Sequence, residues 1–242
     1  VDVANYVMLD MVQPLHVFDA DKIKGGIVVR RAAPGEEFLS MDGEAYTLDS
    51  RDLVIADNDG PLALAGIKGG KRAEVDLQTK RVVFEMAVFD PALVRRSSRA
   101  LGLVTDASVR FARGLAWAEL DTMMRRLVGL ALSAAGGRAC RGFIDVTRVR
   151  QPAGAVAVRA EKISHLLGKE ISIREIEAIL RRLSIKISKK TNNTIYVIPP
   201  LWRLDIEHEE NVIEEVGRLY GYHNIPSRPL VAALEYPPEN AI

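Results

Sequence analysis

A single cysteine, Cys140, is all the thiol in this chain, so neither an internal disulfide nor a cysteine-built zinc site can form. That usage fits a reducing compartment such as the cytoplasm. Charge of one sign is also lacking: the formal net charge is +1, so any nucleic-acid contact must rest on a local patch. No apolar run is long enough to span a bilayer; the longest, around 127–135, falls far short, and no secretory pattern opens the sequence. Missing too are a Gly-x-Ser-x-Gly elbow, a Walker loop and a dinucleotide glycine fingerprint. His16, His165, His208 and His223 are far apart in sequence and suggest no metal cluster. The familiar catalytic patterns are therefore excluded, and chemistry has to be sought in isolated residues.

What is present is globular. Hydrophobic residues make up 48% and charged residues 27% of 242, enough for one large or two ordinary domains. Val3, Tyr6, Val7 and Asp10 run at helical spacing from the very start, and 236–242 reads as a proline-broken tail, so the sequence reads as a piece of a longer chain.

The run Arg81-Val82-Val83-Phe84-Glu85-Met86-Ala87-Val88-Phe89 holds the most unusual residue. On a period-two strand Val82, Phe84, Met86 and Val88 share one face, and Val83, Glu85, Ala87 and Phe89 the other. Apolar character on both faces predicts a central, buried strand. An ionised carboxylate there is costly unless paired. Glu85 therefore either meets a structural Arg or Lys or reads a polar group on a ligand.

Around that run the first part predicts a helix over 3–11, a strand over 26–31, and a hairpin over 37–48 turning at Met41-Asp42-Gly43-Glu44. Strands follow at 53–56, 62–67 and 82–89. Pro91 suits the start of a basic helix over 92–101 that stops at Gly102. Thr105 or Asp106 is a natural N-cap. A helix over 117–135 carries the stripe Leu120, Met123, Met124, Leu127, Leu130 and Ala131 and ends at Gly136-Gly137. A boundary falls near Gln151-Pro152-Ala153-Gly154. Beyond it come a helix over 160–167 and a second opened by the capping box Ser172-x-x-Glu175, with Ile173, Ile176, Leu180 and Leu183 inward. Strands at 185–188 and 194–198 flank a turn bearing Lys189 and Lys190, and a last helix turns Ile206, Ile213, Val216 and Tyr220 inward.

The fold class expected is α+β: a mixed-sheet domain over 1–150, then a small winged-helix-like α/β domain over 151–230, with a linker or tail over 231–242. The acidic run Asp205, Glu207, Glu209, Glu210, Glu214 and Glu215 would repel nucleic acid. It suits a helix N-terminus or a face turned to another domain, which favours docking over RNA binding as the role of the second domain.

Several blocks in order, Asn5-Tyr6-Val7-Met8, Gln13-Pro14-Leu15-His16, Asp52 to Asp57, Leu64-Ala65-Gly66-Ile67-Lys68-Gly69-Gly70, the Glu85 run and Thr105-Asp106-Ala107-Ser108, resemble the editing module of bacterial phenylalanyl-tRNA synthetase β subunits. The resemblance continues through Pro199-Pro200-Leu201-Trp202-Arg203-Leu204-Asp205-Ile206 to Gly221-Tyr222-His223-Asn224-Ile225-Pro226, similar to the same subunit's next domain. It implies hydrolysis of mischarged Tyr-tRNA(Phe). An apolar phenylalanine pocket cannot strongly reject an isostere that adds a hydroxyl, whereas a second site demanding that hydroxyl can. By this resemblance Glu85 accepts the phenol proton, Gly69 and Gly66 let ligand and backbone approach, and Thr105 and Ala107 wall the amino-acid pocket. His16 and Asn5 would hold the attacking water or the terminal adenosine; on sequence alone a lone histidine after Gln-Pro is more often structural. Arg95, Arg96 and Arg99 could attract tRNA phosphates or simply be a solvated helix face. The resemblance further implies tRNA(Phe) and a synthetase α subunit as partners in an α2β2 heterotetramer, no membrane, a cytoplasmic setting, and ATP and Mg²⁺ for the full enzyme but none for this piece.

The sequence departs from the family pattern at Ala4, Val12, Lys68 and Ala112, where Thr, Gly, Met and Glu are common. Ala4 and Lys68 fall nearest the expected site. They motivate the alternative of a non-catalytic structural or RNA-binding module of the same fold with editing lost. A freestanding DNA-binding protein built on the wing is a third reading, which the acidic last helix opposes.

Overall fold

The computed structural model describes residues 1–147 and 154–227, and the chain divides into two compact units between Arg150 and Gln151. The expected boundary at Gln151-Pro152-Ala153 and the expected tail at 231–242 lie outside the described residues.

In the first unit the elements run α1 (Asp2–Met11), β1 (Leu15–Asp19), β2 (Val28–Arg31), β3 (Glu37–Leu39), β4 (Ala45–Thr47), β5 (Leu53–Asp57), β6 (Gly60–Leu64), β7 (Lys68–Gly69) and β8 (Val82–Met86). Then come α2 (Pro91–Ala100), α3 (Asp106–Phe111) and α4 (Leu120–Ala135). Every strand pair is antiparallel: β1 with β8, β3 with β4, and a four-stranded sheet in the order β2-β5-β6-β7. The α+β class stands, built from several small antiparallel sheets. Phe18, Phe38, Leu48, Ile55, Leu62 and Leu64 anchor one core between them.

Local chemistry accounts for the joints. Asp90 caps α2 by accepting from the amides of Ala92 at 2.8 Å and Leu93 at 3.0 Å, with Pro91 in the first turn. The helix expected over 117–135 begins instead as a 3-10 turn, Trp117–Glu119, before α4, and of its apolar stripe only Leu127 is fully buried. α1 ends at Val12, whose φ of 61° lies in the left-handed region that glycine occupies freely and a β-branched residue does not. Gln13 follows, buried, and its Nε2 donates to the carbonyls of Pro14 at 2.8 Å and Ala87 at 2.9 Å. It thereby fastens the start of β1 to the chain just past β8.

The reading of 81–89 as a central, buried strand is corrected. β8 pairs with β1 alone and Val82 is 47% exposed. Val83 and Ala87 pack on the core, which explains one apolar face. On the other face Val82 lines a groove with Val1, Val17 and Leu77 rather than meeting a second layer.

The second unit contains β9 (Val156–Arg159), α5 (Ala160–Leu167), α6 (Ile173–Arg182), β10 (Lys186–Lys190), β11 (Thr194–Ile198) and α7 (Glu209–Tyr220), with an antiparallel sheet in the order β10-β11-β9. Its own core gathers Val158, Ile163, Ile176, Leu180, Val197 and Val216. Gly168 closes α5 at φ 66°. The capping box at α6 is half made: the Glu175 amide donates to Ser172 Oγ at 3.3 Å, and no return bond from the Glu175 side chain is formed. Lys189 and Lys190 lie on β10 rather than on the turn, Lys190 paired with Glu177 at 2.6 Å and Lys189 over the Tyr196 ring.

Much of the acidic run is spent inside this unit. Glu209 meets Arg159 at 2.7 Å and Lys162 at 3.1 Å, Glu210 meets Lys162, and Glu215 meets Arg203 at 2.8 Å and also Arg218. Glu209 and Glu210 stand in the first turn of α7, and these ion pairs tie the run into the unit's own packing. No described helix is long and apolar enough to cross a membrane.

Candidate functional site

Antiparallel pairing sets His16 on β1 directly opposite Glu85 on β8, which puts both side chains on one face of the ribbon. That face looks into a cavity of about 70 Å³ in the first unit. A water needs about 10–15 Å³ by such a measure, so there is room for several. His16, Glu85, Gly66, Gly69 and Ala107 all line it, as do Lys68 and the rings of Phe89 and Phe111.

Glu85 is largely covered and faces the cavity, no hydrogen bond or ion pair within the described residues meets it, and its oxygens, unlike His16 Nε2, are not sealed from solvent. Burial alone pushes its pKa up to about 7. Of the two sequence readings, the buried cationic partner is not found. His16 is shifted the other way: burial draws its pKa down to about 4. Its ring stacks edge-on to Phe18 at 4.5 Å, and its Nε2 is buried without a hydrogen-bond partner. The site therefore joins a neutral imidazole to a carboxyl poised between its two states near pH 7.

The glycines are used by the protein's own side chains. A Cβ on Gly69 would come within 2.4 Å of His16 Cε1, so the bare backbone is what lets the imidazole lie flat against β7. Gly66, at φ 73°, leaves the space that Phe89 and Phe111 fill, and Gly70 leaves room for the Leu62 carbonyl. The close approach expected for ligand is in this state an approach of side chains to backbone.

Thr105 does not line the cavity but holds its wall. As N-cap of α3 its hydroxyl accepts from the Ser108 amide at 3.1 Å and donates to the Ile67 carbonyl at 2.8 Å. The helix bearing Ala107 and Phe111 is thereby pinned to the turn before β7. Asn5 lies on the exposed side of α1 and does not line the cavity. Arg95, Arg96 and Arg99 are exposed on α2; Arg95 donates to the Ala112 carbonyl, and none lines the cavity.

Sequence reasoning passed over three contributors: the ring walls Phe89 and Phe111, the tip of the β3–β4 hairpin, where Met41 Sδ lies beside Gly69, and the Asp42 to Lys68 ion pair at 2.7 Å. The rings stood inside the resembling blocks and could have been noticed; the hairpin contacts are long-range and left no local signal. Among the described residues no three or more His, Cys, Asp or Glu side chains are placed to hold a metal ion.

Residues 1–136 match the B3/4 domain model and residues 156–222 the tRNA synthetase B5 domain model. The phenylalanine–tRNA ligase beta subunit of Geobacter metallireducens is 43% identical over 227 residues, covering 93% of this chain and 28% of that protein. The Yersinia pestis protein of the same name is 40% identical over 236 residues, covering 97% of this chain and 29% of that protein. The chain thus spans less than a third of the length of these curated relatives. An N-terminal fragment of the phenylalanyl-tRNA synthetase beta-subunit from Pyrococcus horikoshii aligns at a TM-score of 0.42 and 18% identity, over 88% of this chain and 62% of that one, a likeness too distant to carry an argument.

Proposed function

Because this chain belongs to the B3/4 domain family and, across both its units, to the phenylalanine–tRNA ligase β subunits, we propose that its first unit hydrolyses Tyr-tRNA(Phe). The observation that carries this reading is Glu85, an unpartnered carboxyl in an apolar cavity beside His16. A group left so exposed to desolvation favours a ligand that supplies the missing hydrogen bond, and a phenol does so with a short, charge-assisted O–H···O⁻ contact. Phenylalanine would leave Glu85 unsatisfied, so the site selects by the hydroxyl.

The reaction itself asks little of the protein. An aminoacyl ester is already activated, and a water held beside it reacts through proximity and orientation. His16 Nε2, buried and unpartnered, is the group to bind that water. With a pKa near 4 it orients the water as a neutral ring and is too weak a base to take its proton outright. Gly69 admits the imidazole, Gly66 admits the ring walls, and Thr105 and Ala107 keep the α3 wall in place. Arg95, Arg96 and Arg99 are proposed to meet tRNA phosphates at the exposed face of α2. Asn5 is proposed to meet the tRNA end from the surface rather than from within the cavity.

This hydrolysis needs no cofactor. For the whole protein we propose tRNA(Phe) and a synthetase α subunit as partners in an α2β2 assembly, acting in the cytoplasm, with ATP and Mg²⁺ serving aminoacylation elsewhere. The second unit is proposed to dock within the subunit.

The test is tyrosine release from Tyr-tRNA(Phe) by this chain, beside Phe-tRNA(Phe) and a Glu85→Ala control. Faster loss of Tyr than Phe, abolished by the substitution, is expected. Absence of hydrolysis at high protein concentration, with tRNA binding demonstrated separately, leaves the non-catalytic module, the reading that the surface position of Asn5 favours.

A further inference from the structure

The cavity is lined both by the Lys68 side chain and by the Glu85 carboxyl, which the hydrolytic reading needs without a partner. Its titratable lining groups are His16 from β1, Lys68 from β7 and Glu85 from β8. The walls from β5, β6 and α3, with Ile55, Ala63, Leu64, Ala107 and Phe111, are apolar. A lysine stem is long and pliable, and an unpaired carboxylate in an apolar wall attracts any ammonium within reach. Yet Glu85 has no ion pair among the described residues, and Lys68 Nζ is held instead by Asp42 at 2.7 Å.

Asp42 is itself placed by a built framework. Ser40 Oγ donates to its other carboxylate oxygen. The hairpin tip is stitched to the strand bearing Lys68 by the Met41 amide to the Gly69 carbonyl at 3.1 Å and the Lys71 amide to the Leu39 carbonyl at 3.0 Å. Ser40 and Gly70 also form a bridge. The Lys68 hydrogen bond, then that of Ser40, holds the Asp42 carboxyl down to about 2, so it remains an anion across the physiological range. Lys68 is 23% exposed and Asp42 50%, which sets the stem over the cavity and the charge at its rim.

Resting on the hydrolytic reading above, we propose that Asp42 is a positioning residue for specificity: by holding the Lys68 ammonium at the rim it keeps that cation off Glu85 and leaves the carboxylate free to read a substrate hydroxyl. An exposed ion pair adds little to fold stability; its consequence here is where the charge sits. The same arrangement explains how a lysine is tolerated beside the hydroxyl reader.

The experiment follows the Glu85 carboxyl by carbon-13 NMR titration in this chain, assigned by its loss in Glu85→Gln, in the parent, Asp42→Asn, Lys68→Met and the double variant. In Asp42→Asn the Glu85 midpoint is expected to fall by about 1 to 3 pH units as Lys68 swings inward. Lys68→Met and Asp42→Asn/Lys68→Met are expected to keep the parent midpoint. The ratio of Tyr-tRNA(Phe) to Phe-tRNA(Phe) hydrolysis at pH 7 is expected to drop about tenfold or more in Asp42→Asn and to return in the double variant. An unchanged midpoint in Asp42→Asn overturns the proposal, and so does a fall that persists when Lys68 is also removed. If the midpoints move as expected but the parent shows no tyrosine preference, the hydrolytic reading fails while the placement of Lys68 stands.

Discussion

His16 and Glu85 sit opposite each other across the β1–β8 ladder, and burial drives their protonation in opposite senses. The folded state holds an extra proton on Glu85 between pH 4.5 and about 7, so this residue makes stability fall as pH rises through that window. The folded state lacks a proton on His16 between about pH 4 and 6.5, so this one makes stability rise with pH. The two slopes nearly offset between about pH 4.5 and 6.5.

Removing either residue should expose the other. Glu85→Gln is expected to gain stability steadily from about pH 4 to 6.5, and His16→Gln to lose it from about pH 4.5 to 7. Each change should be on the order of 2 to 3 kcal/mol in total, against a flatter parent curve. Urea unfolding at half-unit pH steps measures all three, and parallel curves would refute the assignment.

Discrimination should follow the Glu85 proton as well. The Tyr over Phe hydrolysis ratio is expected to climb through about pH 7, as the carboxylate form that accepts the phenol proton becomes dominant. The ratio is the proper readout, because ester hydrolysis in general accelerates with alkali. A flat ratio from pH 6 to 8 would contradict the role given to Glu85.

Gly69→Ala should be far more damaging than an added methyl suggests. Its Cβ would meet His16 Cε1 at 2.4 Å, and the imidazole has no partner bond to hold it. The ring must turn away, at a cost of about 1 to 3 kcal/mol in stability. Deacylation should fall with it. Calorimetry and Tyr-tRNA(Phe) hydrolysis on the same preparation check both halves.

Val12→Gly should stabilise. The position has φ 61° and the side chain is 57% exposed, so little packing is lost when backbone strain is relieved. Relief of about 1 to 2 kcal/mol, less the extra chain entropy of glycine, leaves a net gain of about 0.5 to 1 kcal/mol. A lower Tm than the parent would count against strain at this joint.

Thr105→Val removes both the α3 cap and the bond to the Ile67 carbonyl, and should cost about 1 to 2 kcal/mol. Thr105→Ser keeps both bonds and should recover most of that loss. Equal destabilisation by the two substitutions would show that methyl packing, not the hydroxyl, matters here.

Where the sequence spoke through local pattern, it placed elements well. The Asp-Gly turn near Met41, the proline opening α2 and the glycine closing α5 are local signals, and each element lies where its signal stood. β1 went unread because its five residues lose alternation at Val17-Phe18, and β7, two residues long, is too short to show a period. β9, four residues long directly after the expected boundary, also escaped. Glu85 could be singled out as a misplaced charge, but its opposition to His16 is a matter of strand register, which no single stretch encodes. The resemblance to a family, rather than periodicity, brought those two residues into one site. It said nothing of Asp42, whose contact with Lys68 belongs to this chain's own departure.

At the cavity end of the ribbon, the last fastening is a side chain: the Gln13 amide group bridges two carbonyls on separate segments. Such side-chain bonds are expected to part more readily than the backbone ladder beside them. Amide exchange around Ala87 and Phe89 should then run faster than within β1 and β8, which makes one glutamine side chain the local keeper of this end of the ribbon.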